Sequence, residues 1–239
     1  MKSNFFKSSL TLVLCAFLMA SCVSAKKHKD ALAAKEALER ELATSRESTQ
    51  RNLDQLSADL RSRDQKLRDL EKALEEKDRA VQSLMASVNS ALADFKNQGL
   101  TVDIRNGKVY VSLPEKLLFR TGSTVVDPRG RQALQKLSDV LTAKGDINVV
   151  VEGHTDDVPV AGGTSRYQDN WDLSVLRATE ITRIMLSMGV APDKVTPSGR
   201  SKYVPAAQGT TDTARQQNRR TEIILSPDLS EVLKILERN

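Results

Sequence analysis

The spacing of hydrophobic positions along this chain changes near residue 99. Before it they recur by threes and fours: Leu53, Leu56, Leu60, Leu67, Leu70, Leu74, Val81, Leu84, Val88, Ala91 and Phe95. That is the heptad seam of a coiled coil. Arg63 and Lys77 interrupt the seam at expected apolar places, and upstream the register slips around Leu38 and Leu42. No proline or glycine lies between Ala25 and Gly99, so a continuous helix rising about 1.5 Å per residue would reach roughly 100 Å. Edge charges do not choose a strand number. In a parallel dimer Lys66 would face Glu71 of the partner favourably, whereas Asp59 would face Asp64 of the partner unfavourably. Two readings stay open: a spacer through which copies associate, or a single solvated helix folded back on a globule.

After Gly99 the period shortens to two. The stretch TVDIRNGKVYVSL alternates on both sides of Asn106-Gly107, which predicts a hairpin with a type I′ turn. Asp127-Pro128 predicts the cap and first residue of a helix whose Leu134, Leu137 and Leu141 share a face and which stops near Gly145. INVVVEG, from Ile147 to Gly153, reads as a buried strand. A second helix is predicted from about Asp172 to Met188, a closing strand over Arg220 to Leu225, and a short terminal helix in DLSEVLKILERN. The expected organisation is a leader over 1–21, an attachment segment over 22–30, a helical spacer over 31–98, an α+β domain of ordinary size over 99–226 and a last helix over 227–239.

Composition modifies this picture in two ways. The 239 residues carry a formal net charge of +5, but Lys2 and Lys7 lie in the leader and the remaining Lys and Arg are interleaved with Asp and Glu, which disfavours nucleic acid. The opening MKSNFFKSSLTLVLCAFLMASCVSA has a basic start, an apolar run from Leu10 to Met19 and then small residues, the pattern of an export signal. Two processing sites compete. LMASC, ending at Cys22, resembles a bacterial lipoprotein box, with Met19 where leucine is commonest. VSA, ending at Ala25, suits ordinary signal peptidase and predicts a soluble periplasmic protein. Cys15 and Cys22 are the only cysteines, so nothing downstream could pair with Cys22 in an oxidising compartment. Lipidation of Cys22 is therefore the favoured expectation, with acyl chains contributing about 0.8 kcal/mol per buried methylene. Val23 stands where inner-membrane lipoproteins of this kind carry a retention aspartate, so the expected location is the outer membrane, facing the periplasm.

The candidate chemistry lies in EGHTDDVPV, residues 152–160, where a buried strand gives way to a loop. A metal would need three or four ligands, and outside this cluster the only other histidine is His28. Hydrolysis by paired carboxylates needs groups roughly 5 to 10 Å apart across a bond, and adjacent Asp156 and Asp157 diverge. No nucleophile elbow is present. No enzyme activity, metal or cofactor is expected. On the second helix, stepping 100° per residue puts Arg177 with Leu173, Ile181 and Ile184 on the apolar side, and Thr179, Glu180, Arg183 and Ser187 on the polar one. A shielded, unpaired guanidinium costs several kcal/mol, so an anion must come from the protein, through Asp156 or Asp172, or from a ligand.

GHTDDVP, NWDLSVLRA and NRRTEI, with LLFRTGS (Leu117 to Ser123) and SGRSKYVP (Ser198 to Pro205) in order, resemble the OmpA-like peptidoglycan-binding domain over about residues 100–226. The inserted PVAGGTSRYQ makes the spacing look most like flagellar stator B subunits. The resemblance implies a sandwich of helices on a mixed β-sheet. It also implies a binding site for the diaminopimelate of the cell-wall stem peptide, with Asp156 taking the ammonium and Arg177 the carboxylate. Asn170 would support the loop or touch the peptide, Arg219 and Arg220 would border the pocket, and Thr121 and Gly122 would line its other wall. His154 is expected to be structural and Asp157 solvent-facing. Arg120 departs from the small or acidic residues common at its place in the family. The function expected is an outer-membrane lipoprotein that holds peptidoglycan noncovalently, with homo-oligomers forming through the coiled coil. The alternatives are a stator-like ion-channel subunit, which needs a retained membrane helix with an ion-carrying aspartate, a wall hydrolase, or a scaffold whose globule binds another envelope protein.

Overall fold

The computed structural model describes residues 3–119, 124–160, 167–228 and 230–237. They fall into two compact units, residues 1–65 and 66–239. A long helix, α1 (Ser3–Ala91), accounts for the described part of the first unit and continues into the second.

Within the first unit Leu32, Leu38, Leu42, Leu53, Leu56 and Leu60 are exposed. The helix surface carries i,i+4 ion pairs at Lys35–Glu39, Glu36–Arg40, Glu47–Arg51 and Asp59–Arg63, each contributing roughly 0.3 to 0.5 kcal/mol. In the second unit Leu67 and Leu74 are still exposed, but Val81, Leu84, Val88, Leu92 and Phe95 are buried in the main hydrophobic core. The unit therefore begins well before residue 99. One heptad spacing serves two ends: its later apolar positions bury their area against the chain's own sheet and helices, and its earlier ones face solvent.

After α1 a 3-10 turn (Ala93–Gln98) ends at Gly99 in the left-handed region, φ 88°. Strands β1 (Thr101–Arg105) and β2 (Lys108–Pro114) form the expected hairpin. Asn106 (φ 52°) and Gly107 (φ 69°) both take positive φ, as a type I′ turn requires. A short helix α2 (Glu115–Leu118) follows β2 directly. Helix α3 (Pro128–Lys144) is capped as predicted: the Asp127 carboxylate accepts the Arg129 N–H at 3.0 Å, and Leu134, Leu137 and Leu141 are buried. Next come β3 (Ile147–His154), α4 (Asn170–Ser187), β4 (Val195–Gly199), α5 (Asp212–Asn218), β5 (Arg220–Pro227) and α6 (Ser230–Glu237). Helix α4 starts two residues earlier than expected because the Asp169 carboxylate caps the Asp172 N–H at 3.0 Å.

The fold is α+β, with helices packed on a mixed five-stranded sheet of order β1-β2-β5-β3-β4. Only the β3–β4 pair is parallel. The last strand, expected to close the sheet, lies at its centre, antiparallel to both β2 and β3. Its run of buried residues, Arg220 to Ile223, reflects neighbours on both edges.

Helix α4 lies unusually close to β3 and β4. A Cβ on Gly153 would meet the Ser174 carbonyl oxygen at 2.2 Å, and one on Gly199 would meet the Ser174 hydroxyl at 2.5 Å and the Val175 nitrogen at 2.8 Å. The two glycines are register partners across β3 and β4. Their missing side chains let the first turns of the helix settle onto the strand ends. The Ser174 hydroxyl donates to the Trp171 carbonyl at 2.8 Å and accepts the Ser201 N–H at 3.2 Å. Asp156 follows Gly153 by three residues and Arg177 follows Ser174 by three, so this contact brings both to one end of the sheet.

Candidate ligand-binding cleft

A cleft of about 490 Å³ opens at that end, between the β2–α2 junction, the loop after β3, the start of α4 and the end of α5. Asp156, Arg177, Asn170 and Arg219 all line it. Arg177 is 4% exposed and Asp156 8%, so both charges are largely shielded from water.

Four charges of alternating sign are linked around the cleft. Asp156 Oδ2 accepts a hydrogen bond from Arg219 Nη1 at 2.5 Å, and Arg219 Nε donates to Glu115 Oε2 at 2.8 Å. Glu115 Oε1 in turn receives Arg177 Nη2. Burial lowers the Arg219 pKa, but the hydrogen bond and charge of Asp156 and the charge of Glu115 outweigh it and hold the guanidinium above its ordinary value. The Arg177 guanidinium lies over the Phe119 ring, 5.1 Å from its centroid. Its Nε is buried with no hydrogen-bond partner among the described residues. The helix arginine therefore has one carboxylate partner and donor capacity to spare.

The loop is held from within. Asp156 Oδ1 accepts the Val158 N–H at 3.1 Å, and Asn170 Nδ2 donates to the Val158 carbonyl at 2.9 Å and the Asp156 carbonyl at 3.4 Å. Asn170 thus ties the start of α4 to the loop that carries Asp156, and it also faces the cleft.

Some expected positions differ. The internal partner of Arg177 is Glu115, not Asp156 or Asp172; Asp172 instead accepts the Gln168 N–H at 2.9 Å. Glu115 is the cleft carboxylate that sequence reasoning missed, and Lys116, Tyr167 and Gln216 also line the cleft. The available signal was a lone acid directly behind Pro114 in the mostly apolar run VSLPEKLLF. Arg220 does not line the cleft. It is buried and directed to Glu222 at 3.1 Å and to the Asn218 and Val204 carbonyls at 3.4 and 3.3 Å. Neighbouring side chains where a strand begins point opposite ways, so Arg219 and Arg220 cannot share a wall. Asp157 is substantially solvent-exposed, as expected, but Arg215 also grips it with two hydrogen bonds, at 2.8 and 3.1 Å, and this pairing holds its carboxyl below the ordinary range. Arg183 is exposed and pairs with Glu180, as expected of a surface residue. Thr121, Gly122 and Arg120 lie outside the described residues.

His154 does not line the cleft and belongs to a second cluster. Its Nε2 is 3.2 Å from Glu152 Oε1 and 4.0 Å from Glu222 Oε2. These three residues place candidate metal-ligand atoms within 4.8 Å of one another. The carboxylates are already engaged, Glu152 by Arg200 at 2.7 Å and Glu222 by Arg105 and Arg220 at 3.0 and 3.1 Å. A cation entering there would face three guanidinium groups, so the cluster reads as an ion-pair network around a buried imidazole, with Arg105, Arg220 and Glu222 lining a separate cleft.

Residues 118–219 match the OmpA family. The chain is 24% identical over 149 residues to motility protein B of Bacillus subtilis, covering 62% of this chain and 56% of that protein. It is 27% identical over 133 residues to the probable lipoprotein YiaD of Escherichia coli, covering 56% of this chain and 58% of that one. It therefore spans little more than half the length of these relatives. Among solved structures, the cell wall anchor of the T6SS from Pseudomonas aeruginosa superposes with a TM-score of 0.54 at 31% identity, covering 59% of this chain and 97% of that chain. The α+β sheet order, the cleft beside α4 and these matches lead to one assignment: residues 118–219 form an OmpA-family domain.

Proposed function

We propose that this chain is an outer-membrane lipoprotein that binds peptidoglycan noncovalently through the diaminopimelate of the stem peptide and so tethers the envelope layers. The observation that carries the reading is a shielded acid, Asp156, and a shielded base, Arg177, facing one cleft of about 490 Å³. A zwitterionic amino-acid end presents both charges close together, and charge-assisted hydrogen bonds contribute roughly 1.5 to 3 kcal/mol each. Two such contacts sum to roughly 3 to 6 kcal/mol, which corresponds to affinities from millimolar to tens of micromolar. Association of copies through the exposed leucines of α1 would raise the effective concentration on a polymeric wall. The T6SS structure is that of a cell wall anchor and YiaD is named a lipoprotein, which supports both halves of the proposal. Lipid on Cys22 would supply the membrane end.

A second reading, a stator B-like subunit, is favoured by the similarity to motility protein B. Among the described residues no helix is long and apolar enough to cross a membrane.

The test is co-sedimentation of the detergent-solubilised chain with purified peptidoglycan. Asp156→Asn and Arg177→Gln should each weaken pelleting roughly ten- to hundredfold, the equivalent of one charged contact. Both variants pelleting like wild type refutes the site. In cells, Cys22→Ala should leave the membrane fraction, and unchanged fractionation removes the lipid anchor from the proposal.

A further inference from the structure

The cleft wall itself carries the two charges that a zwitterionic ligand would bring. Arg177 is neutralised by Glu115 and Asp156 by Arg219, and Glu115 and Arg219 are joined to each other at 2.8 Å. Resting on the cleft reading above, we infer that the Glu115–Arg219 pair is an internal latch: a built-in zwitterion in the cleft wall that engages both Arg177 and Asp156 and must be exchanged for the ligand's zwitterion.

Each latch residue uses one end on its mate and the other on the receptor. Glu115 gives Oε2 to Arg219 and Oε1 to Arg177, while Arg219 gives Nε to Glu115 and Nη1 to Asp156. A ligand bearing both an ammonium and a carboxylate takes over Asp156 and Arg177 together. The latch pair keeps its own bond and moves aside as a unit, so no charge is left unpaired. A plain carboxylate displaces Glu115 from Arg177 but leaves Arg219 on Asp156, and it must sit beside a released acid of like sign. A plain ammonium meets the mirror problem at Asp156, where it must evict Arg219 and leave a released cation beside it. The latch therefore discriminates against ligands carrying only one of the two charges, a preference that two independent receptor charges would not produce.

Burial sets one latch residue apart: the Arg219 side chain is 36% exposed and can reach water, whereas Arg177, Asp156 and Glu115 are 5%, 11% and 14% exposed, so Glu115 leaves Arg177 only in company with Arg219. The latch also straddles the edges of the family match. Glu115 precedes residue 118, and Arg219 is the last residue matched.

Calorimetry on the detergent-solubilised full chain tests this with three probes that share a seven- or five-carbon spine: meso-diaminopimelate, pimelate without the amino groups, and cadaverine without the carboxylates. Wild type should bind diaminopimelate at least tenfold more tightly than either partial probe. Glu115→Gln, which removes the charge and keeps one acceptor oxygen while turning the other into an NH2 donor, should tighten pimelate at least tenfold while tightening diaminopimelate less. Arg219→Gln, at a partly exposed position, should do the same for cadaverine, read at a temperature where circular dichroism shows the variant folded. Unchanged or weaker binding of the partial probes in these variants overturns the latch and makes Glu115 and Arg219 part of the receptor. Failure of diaminopimelate to bind wild type and both variants overturns the cleft reading itself.

Discussion

Replacing Gly153 by alanine should damage stability and binding together, because one backbone contact sets both. The added Cβ would lie 2.2 Å from the Ser174 carbonyl oxygen and 3.0 Å from its carbon. Real Cβ contacts do not fall below 3.0 Å, so β3 and α4 must separate by about 0.8 Å. The obstacle is helix backbone and no rotamer change relieves it. Overpacking typically costs about 1 to 3 kcal/mol, and a backbone obstacle places this substitution at the upper end, near 3 kcal/mol. For a unit of this size each kcal/mol lowers Tm by roughly 2 to 4 °C, so a loss of roughly 6 to 12 °C is expected by calorimetry or circular dichroism. Separation of the elements also separates Asp156 from Arg177, and peptidoglycan co-sedimentation at a temperature where the variant is folded should fall with it. Gly209→Ala is the control. Its φ of +100° strains any side chain but it faces open space, so it should lose about 1 kcal/mol and keep its binding. A Gly153→Ala protein with wild-type Tm refutes the contact as the source of close packing, and one that is destabilised yet binds normally refutes its role in placing the two charges.

Two further predictions test other parts of the fold. Glu152 is held below its ordinary value of 4.5, first by its contact with His154 and then by Arg200. Burial pushes Glu222 up, but Arg105 and Arg220 outweigh it and bring it below 4.5 as well. Since these folded values lie under the unfolded ones, the stabilisation is complete above about pH 4.5 and disappears as pH falls through the lowered values. Tm should therefore hold between neutrality and about pH 5 and then drop, and Glu222→Gln, though less stable throughout, should drop less steeply; parallel curves would dismiss the carboxylate as the cause. On α1, Leu84→Ala opens a cavity in the core and should cost about 2 to 5 kcal/mol, whereas exposed Leu60→Ala should cost under about 0.5 kcal/mol in a monomer and act, if at all, on sedimentation of associated copies. Equal thermal losses at the two positions would contradict the division of the seam.

Local rules were legible in the sequence wherever a residue type answers a local geometric demand. Asn106-Gly107 take the two positive φ values that a tight hairpin imposes, and Asp127-Pro128 satisfy a helix start whose orphan N–H groups are fixed by the chain itself. The heptad of α1 was legible as a period but not as a contact, since Leu60 and Leu84 carry the same pattern and one is exposed while the other is fully buried. Periodicity names a face and leaves its partner open. The same limit governs the cleft. Helical stepping places Arg177 on the apolar side of α4, and burial there demands an anion. Which anion arrives depends on sheet order: β5 inserts between β2 and β3, and the β2–α2 junction then carries Glu115 to an arginine 62 residues away. A shielded charge seen in a sequence is thus reliable as a requirement for a counterion. Whether that counterion belongs to the protein or to the ligand is decided by neighbours remote in the chain, and here an internal acid occupies the place where the ligand's carboxylate is proposed to sit.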